Sequence, residues 1–174
     1  LGDILSRLII SRNYDTSEIY GINNSQKLTN IFRDDYDFHK ASLVLLDSIK
    51  NNENICILGD YDVDGICATS LLVRYFNHIN QQHFFYIPDR VKDGYGASKK
   101  LFQKLILKKP KLIIMVDCGS TSNDAINYLN QQNIKSIIID HHETNKPYPK
   151  SDAFINPKKD KHIAKIEHSF LCAT

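Results

Sequence analysis

Four short apolar runs, each halted at an aspartate, constrain this chain more than any other feature. Ile55 to Leu58 stops at Gly59-Asp60, and Phe84 to Ile87 stops at Pro88-Asp89. Leu112 to Val116 stops at Asp117, and Ile137 to Ile139 stops at Asp140. Ala153 to Ile155 offers a fifth run. The runs are continuous rather than alternating, as expected of strands covered on both faces. Helical patterns lie between them: Ile66 to Ile79, a basic amphipathic stretch from Ser98 to Lys108, and a stretch capped by Ser122 or Asn123 that ends near Gln132. Strands alternating with helices predict an α/β fold, a mostly parallel sheet flanked by helices with right-handed crossovers.

Residues 1–50 show no strand run and are expected to form a helical N-terminal segment. Asp3 is placed to cap a short helix from Ile4 to Ile10. Phe38 to Ile49 sets Ala41, Val44, Leu45 and Ile49 at helical spacing, with Asn51 and Asn52 ending it. Residues 51–174 then form the second expected domain. No apolar run approaches the roughly 20 residues of a membrane span. Position 1 is Leu, and no signal-peptide pattern follows it. The chain therefore reads as a piece of a longer, cytoplasmic protein.

The formal net charge of +2 is too small to indicate a partner. Its distribution says more. Lys92 to Lys111 holds seven lysines against the single acid Asp93, and Lys146 to Lys165 holds six against Asp152 and Asp160. Such stretches suit a polyanion such as nucleic acid, and equally a solvated lysine-rich face. Cys56, Cys67, Cys118 and Cys172 show no CxxC spacing. They fit small buried residues in a reducing compartment, not a zinc ribbon or a disulfide framework.

In an open parallel sheet, the carboxyl ends of the strands share one edge, where ligands bind. The fold therefore gathers Asp60, Asp89, Asp117 and Asp140. Gathered carboxylates repel unless protons or cations neutralise them, and a divalent metal does so economically. The first strand end is the richest, with Asp60, Asp62 and Asp64 alternating just ahead of Gly65. Its DxDxDG start resembles an EF-hand, but the twelfth position, where that loop needs Glu, is Leu71. Asp140 is followed by His141 and His142. Adjacent side chains are expected to diverge, one toward metal and the other toward substrate. Histidine among carboxylates favours Mn²⁺, Fe²⁺ or Zn²⁺ over Mg²⁺. Asp117 is placed to bridge two cations, and Gly119 lets backbone approach a phosphate oxygen ahead of a helix N-terminus. Arg90 offers a bidentate fork for phosphate. Gly94 and Gly96 allow a tight loop, and Tyr95 between them offers a ring for base stacking.

Taken together, the stretches ILGDYDVDGICATSLL, YIPDRVKDGYGAS, IIMVDCGSTS, IIIDHHETN and FINPKK resemble the DHH phosphoesterase superfamily, in the order that superfamily shows. Within it they look like the RecJ-type branch of single-strand-specific 5′→3′ exonucleases. That resemblance implies Asp60, Asp62, Asp64, Asp117 and His141 as metal ligands, with Asp117 bridging. It implies that His142 contacts the scissile phosphate, and that Asp140 is a ligand or orients a histidine. Asp117, Asp140 and His142 are thus the expected catalytic group. Arg90, Gly94, Tyr95, Gly96, Gly119 and His142 are the expected substrate contacts. The implied cofactor is Mn²⁺, two ions, with Mg²⁺ as the alternative. The implied substrate is single-stranded DNA, hydrolysed in line by water in repair and recombination. The family's usual Glu before GYG is Asp93 here. The family also expects a further metal-binding Asp and a DHH-associated domain beyond Thr174, so the intact protein, rather than this piece, is the expected enzyme. The rival readings are a DHH phosphatase or phosphodiesterase acting on oligonucleotides, cyclic dinucleotides or pyrophosphate, and a non-catalytic scaffold. Relatives of the scaffold kind lose their acidic residues, which are all present here.

Overall fold

The computed structural model describes residues 2–15, 19, 35–94, 96–159 and 173. Two compact units divide the chain, residues 1–31 and 32–174. The first holds helix α1 (Asp3–Ser11), which buries no side chain among the described residues. Gly2, not Asp3, occupies its N-cap position. Asp3 lies in the first turn instead, paired with Arg7 at 3.0 Å. An acid one position inside the helix still suits the positive end of the dipole.

The second unit opens with α2 (Tyr36–Lys50), capped by Asp35, whose carboxylate accepts the Phe38 N–H at 2.6 Å. It ends at Asn51 as expected, and Asn52 takes a left-handed turn there. The sheet then builds from β1 (Ile55–Leu58), β2 (His83–Tyr86), β3 (Leu112–Val116), β4 (Lys135–Ile139) and β5 (Ala153–Ile155). Their connections hold α3 (Val63–His78), α4 (Lys99–Leu105) and α5 (Asn123–Gln131). The expected helix over 98–108 is shorter, because its last turn tightens into a 3₁₀ turn over Ile106–Lys108.

All strand pairs are parallel, in the order β2-β1-β3-β4-β5. Residue alternation divides the apolar runs between two cores. Cys56, Leu58, Ile113, Met115 and Ile138 pack with α4 and α5 through Leu101, Phe102, Leu105, Ile126 and Leu129. Ile55, Ile57, Leu112, Ile114 and Ile137 pack with α2 and α3 through Ala41, Ala68 and Phe76. This two-sided burial is why the strands read as unbroken apolar runs. The chain leaves β1 in one direction toward β2 and later returns past β1 to add β3, β4 and β5. The strand order therefore reverses between β1 and β3, and an open sheet forms its ligand crevice at that switch point. Asp60 follows β1 and Asp117 follows β3, so the topology sets these two carboxylates on either side of the crevice.

Gly65 makes the acidic turn fit. A Cβ there would lie 2.6 Å from both the backbone N and O of Asp60. The N-terminus of α3 thus presses directly against the backbone of Asp60, in the turn just past β1. Gly65→Ala is expected to lower unfolding free energy by about 3 kcal/mol in denaturant titrations, because backbone atoms cannot yield as a flexible side chain would. A change below about 0.5 kcal/mol would contradict that contact.

Cys56 and Cys118 are buried thiols, as expected, but Cys67 is exposed on the outer face of α3. Cys172 lies outside the described residues. Among the described residues, no helix is long and apolar enough to cross a membrane.

Candidate metal centre

Asp117 is the centre of the site. It is fully buried, and its backbone adopts φ +62°, a left-handed conformation uncommon for any residue but glycine. Its N–H is spent on the Ile139 carbonyl at 2.9 Å. Neither carboxylate oxygen has a hydrogen-bond partner. His141 Nε2 approaches Oδ1 to 3.1 Å and His142 Nδ1 to 3.8 Å, but neither is aligned as a hydrogen bond. Burial pushes the Asp117 carboxyl up to about 7, reinforced by the negative charges of Asp64 and Asp62. A buried carboxylate without donors, crowded by two others, is a strong cation seat.

Two donor groups meet at this residue. Asp60, Asp62 and Asp117 place ligand-type atoms within 4.8 Å of one another, and so do Asp117, His141 and His142. Oxygen and imidazole donors of this kind suit a divalent transition ion such as Mn²⁺. Asp60 is buried, and its Oδ1 accepts the Tyr61 N–H at 2.8 Å. Burial also raises its carboxyl above the ordinary range. Asp62 caps α3 through the Gly65 N–H at 3.0 Å. Asp64 lies 3.5 Å from His141 Nε2 and accepts the Ala173 N–H at 2.8 Å. All five residues expected as ligands therefore face one crevice.

The two histidines differ from expectation in direction. Their rings lie 4.8 Å apart, and both lean toward Asp117 rather than diverging. Asp140 supplies the reason. Its Oδ1 accepts the N–H groups of His141 and His142 at 2.7 and 3.1 Å, curling the chain so that both rings emerge on one side. The same oxygen accepts His142 Nδ1 at 2.8 Å, and Oδ2 accepts the Ser120 N–H at 3.0 Å. Burial alone would raise the Asp140 carboxyl, but the bonds from Ser120 and His142 outweigh it and hold it below the ordinary value. For His142, burial disfavours the charged ring, yet Asp140 more than offsets this and raises its pKa. Asp140 thus orients a histidine and belongs to neither donor group.

A cleft of about 360 Å³ adjoins the cluster, lined by Gly96, Gly119, Ser120, Asp140 and His142 among others. Gly119 has φ +109° and Gly96 φ +69°, so side chains are disfavoured at both walls. Gly94 also has positive φ but does not line the cleft. Tyr95 lies outside the described residues. Arg90 holds its guanidinium 5.5 Å from the centre of the Tyr61 ring, beside the acidic turn. Asp89 departs from the expected gathering. It follows the edge strand β2, and its Oδ1 caps a turn by accepting the N–H groups of Val91 and Lys92 at 2.9 and 3.0 Å.

Sequence reasoning assigned no role to Asn156, which is buried at the end of β5. Its Nδ2 donates to Ser120 Oγ at 2.8 Å and to the His142 carbonyl at 3.0 Å. It ties the β3 and β4 loops together across the cleft. The signal was present, since the fifth apolar run also stops at a polar residue, amide rather than acid.

The family model described as DHH family, N-terminal domain, matches residues 54–172. The chain belongs to the DHH family. Among relatives of this DHH chain, the single-stranded-DNA-specific exonuclease RecJ of Bacillus subtilis is 31% identical over 159 residues, covering 90% of this chain and 20% of that protein. The RecJ of Dickeya dadantii is 30% identical over 144 residues, 79% of this chain and 25% of that protein. The chain thus spans a fifth to a quarter of the length of these relatives. A crystal structure of exonuclease RecJ bound to manganese superposes with a TM-score of 0.66 at 26% identity, over 79% of this chain and 33% of that one. RecJ from Thermus thermophilus in complex with Mn²⁺ shares the fold, with a TM-score of 0.63 at 23% identity, over 74% of this chain and 18% of that one.

Proposed function

We propose that this DHH chain carries the metal centre of a RecJ-type nuclease, a metal-dependent hydrolase that degrades single-stranded DNA from its 5′ end in the cytoplasm. The observation that carries the reading is Asp117, buried, without hydrogen-bond donors on either oxygen, and shared by two donor groups. Asp60, Asp62 and Asp117 would hold one cation. Asp117 and His141, with Asp64 3.5 Å from the His141 ring, would hold a second. Mn²⁺ suits this mixture of oxygen and nitrogen donors. When bound, such a pair supplies an acidified water and offsets charge on the phosphoryl oxygens.

The chain's own residues do the rest. Asp140 accepts a hydrogen bond from His142 Nδ1–H and so favours a charged ring at the cleft wall, where it can meet a phosphate. Asn156 and Ser120 keep Asp140 and the His142 backbone in register. Gly96 and Gly119 allow close approach of a strand's backbone, Arg90 adds a cationic fork, and Tyr95 supplies a stacking ring. Contacts to phosphate and stacked bases carry no sequence preference.

The test is digestion of 5′-labelled single and double strands by the full-length protein with Mn²⁺. The reading predicts early release of labelled mononucleotide from single strands only. Equal cutting of duplex, or action restricted to dinucleotides or pyrophosphate, would overturn it.

A further inference from the structure

Outside the acidic cluster, the loop that carries Arg90 also carries Asp93, whose side chain is turned away from solvent. The Asp93 side chain is 4% exposed. Its Oδ2 accepts the Tyr86 hydroxyl at 2.6 Å and the Asp89 N–H at 3.1 Å. Its Oδ1 accepts Lys104 Nζ at 2.7 Å. One side chain therefore ties the end of β2, the loop and helix α4 to each other. Lys104, with the Tyr86 and Asp89 bonds, holds the Asp93 carboxyl at about 2, so it stays ionised at any working pH. Asp89, anchored through its N–H, caps the next turn through Val91 and Lys92. Arg90 sits inside that turn, its guanidinium over the Tyr61 ring.

We propose that Asp93 is a positioning residue: with Tyr86 and Lys104 it latches the loop over residues 88–94 in the shape that presents Arg90 to a substrate phosphate beside the acidic turn. The proposal rests on the nuclease reading and adds to it the device that sets strand affinity. The latch touches no atom of the two donor groups, so it acts on binding rather than on the chemical step. A loose loop would still sample the correct shape, only less often. Apparent affinity then falls by the fraction of molecules that are competent.

The test uses Asp93→Asn and Tyr86→Phe in the full-length protein, with a labelled single-stranded oligonucleotide and Mn²⁺. Asp93→Asn is expected to raise KM about tenfold with kcat within about twofold, the pattern of lost uniform binding. Tyr86→Phe, which removes one of three contacts, is expected to raise KM about threefold. Amide hydrogen exchange reads the loop without substrate. The N–H groups of Asp89, Val91 and Lys92 should exchange faster in both variants. Unchanged exchange overturns the latch, whatever the kinetics show. Faster exchange with unchanged KM, or with kcat falling alone, overturns the role in strand binding. A wild-type protein that degrades no single strand, while the variants still lose protection, overturns the nuclease reading and the strand-binding role together but not the loop contacts.

Discussion

Replacing Asp117 with Asn is expected to lower the rate of single-strand hydrolysis at saturating Mn²⁺ by about a thousandfold or more. Asn is the informative substitution because it tolerates the left-handed backbone that Asp117 adopts at φ +62°. It keeps the volume while removing the charge and turning one ligand oxygen into an NH2 donor. Ala would add backbone strain of roughly 1 kcal/mol to the loss of the ligand. Both donor groups share Asp117, so one neutralised carboxylate weakens both. Strand binding should stay within about threefold of wild type, since it rests on distributed phosphate and stacking contacts. Initial rates and fluorescence anisotropy separate the two quantities. Turnover within tenfold of wild type would remove Asp117 from the centre of the site.

The second large effect is on stability in the presence of a chelator. The Asp117 carboxyl is raised to about 7 by burial and by Asp64 and Asp62. An unfolded Asp titrates near its ordinary value of 3.8. Between these values the folded state binds more protons than the unfolded one, so stability falls as pH rises. Asp60, raised by burial, pushes the same way. His142, whose pKa is raised mainly by Asp140, contributes stability that is likewise lost as pH climbs through its folded value. Asp140 and Asp93 are held low and work in the opposite sense, but only in acid below about pH 4. With chelator, unfolding free energy should therefore drop between pH 5 and 8, by about 3 kcal/mol at most from Asp117. Mn²⁺ should restore it, because a ligand that binds only the folded state stabilises it. Asp117→Asn should flatten the slope and raise stability at pH 8 without metal. A stability that rises with pH in chelator, or that ignores Mn²⁺, would contradict this electrostatic picture.

Much of the fold could be read from period and punctuation. β1, β3 and β5 match the apolar runs residue for residue, because strands buried on both faces cannot hide in a mixed pattern. The positions of Asp60, Asp62, Asp64, Asp117 and His141 at one edge also follow from parallel topology alone. What sequence could not show was side-chain direction. Asp89 stands at a strand end like the other aspartates, yet an edge position leaves its carboxylate to cap a local turn. The adjacent histidines were expected to diverge. Asp140 turns both toward Asp117 through three hydrogen bonds that alternation along the chain does not encode. Asn156 escaped notice because its partners, Ser120 and His142, lie 36 and 14 residues away. Asp3 failed as a cap by one residue, the usual margin at a helix end.

Anomalous diffraction at the manganese edge, from crystals of the full-length protein grown with Mn²⁺, tests the central claim most directly. The account predicts a strong peak in ligand contact with Asp117 and with Asp60 and Asp62, and a second toward His141. Both should vanish or weaken in Asp117→Asn. Manganese bound elsewhere, or none within reach of Asp117, would contradict it.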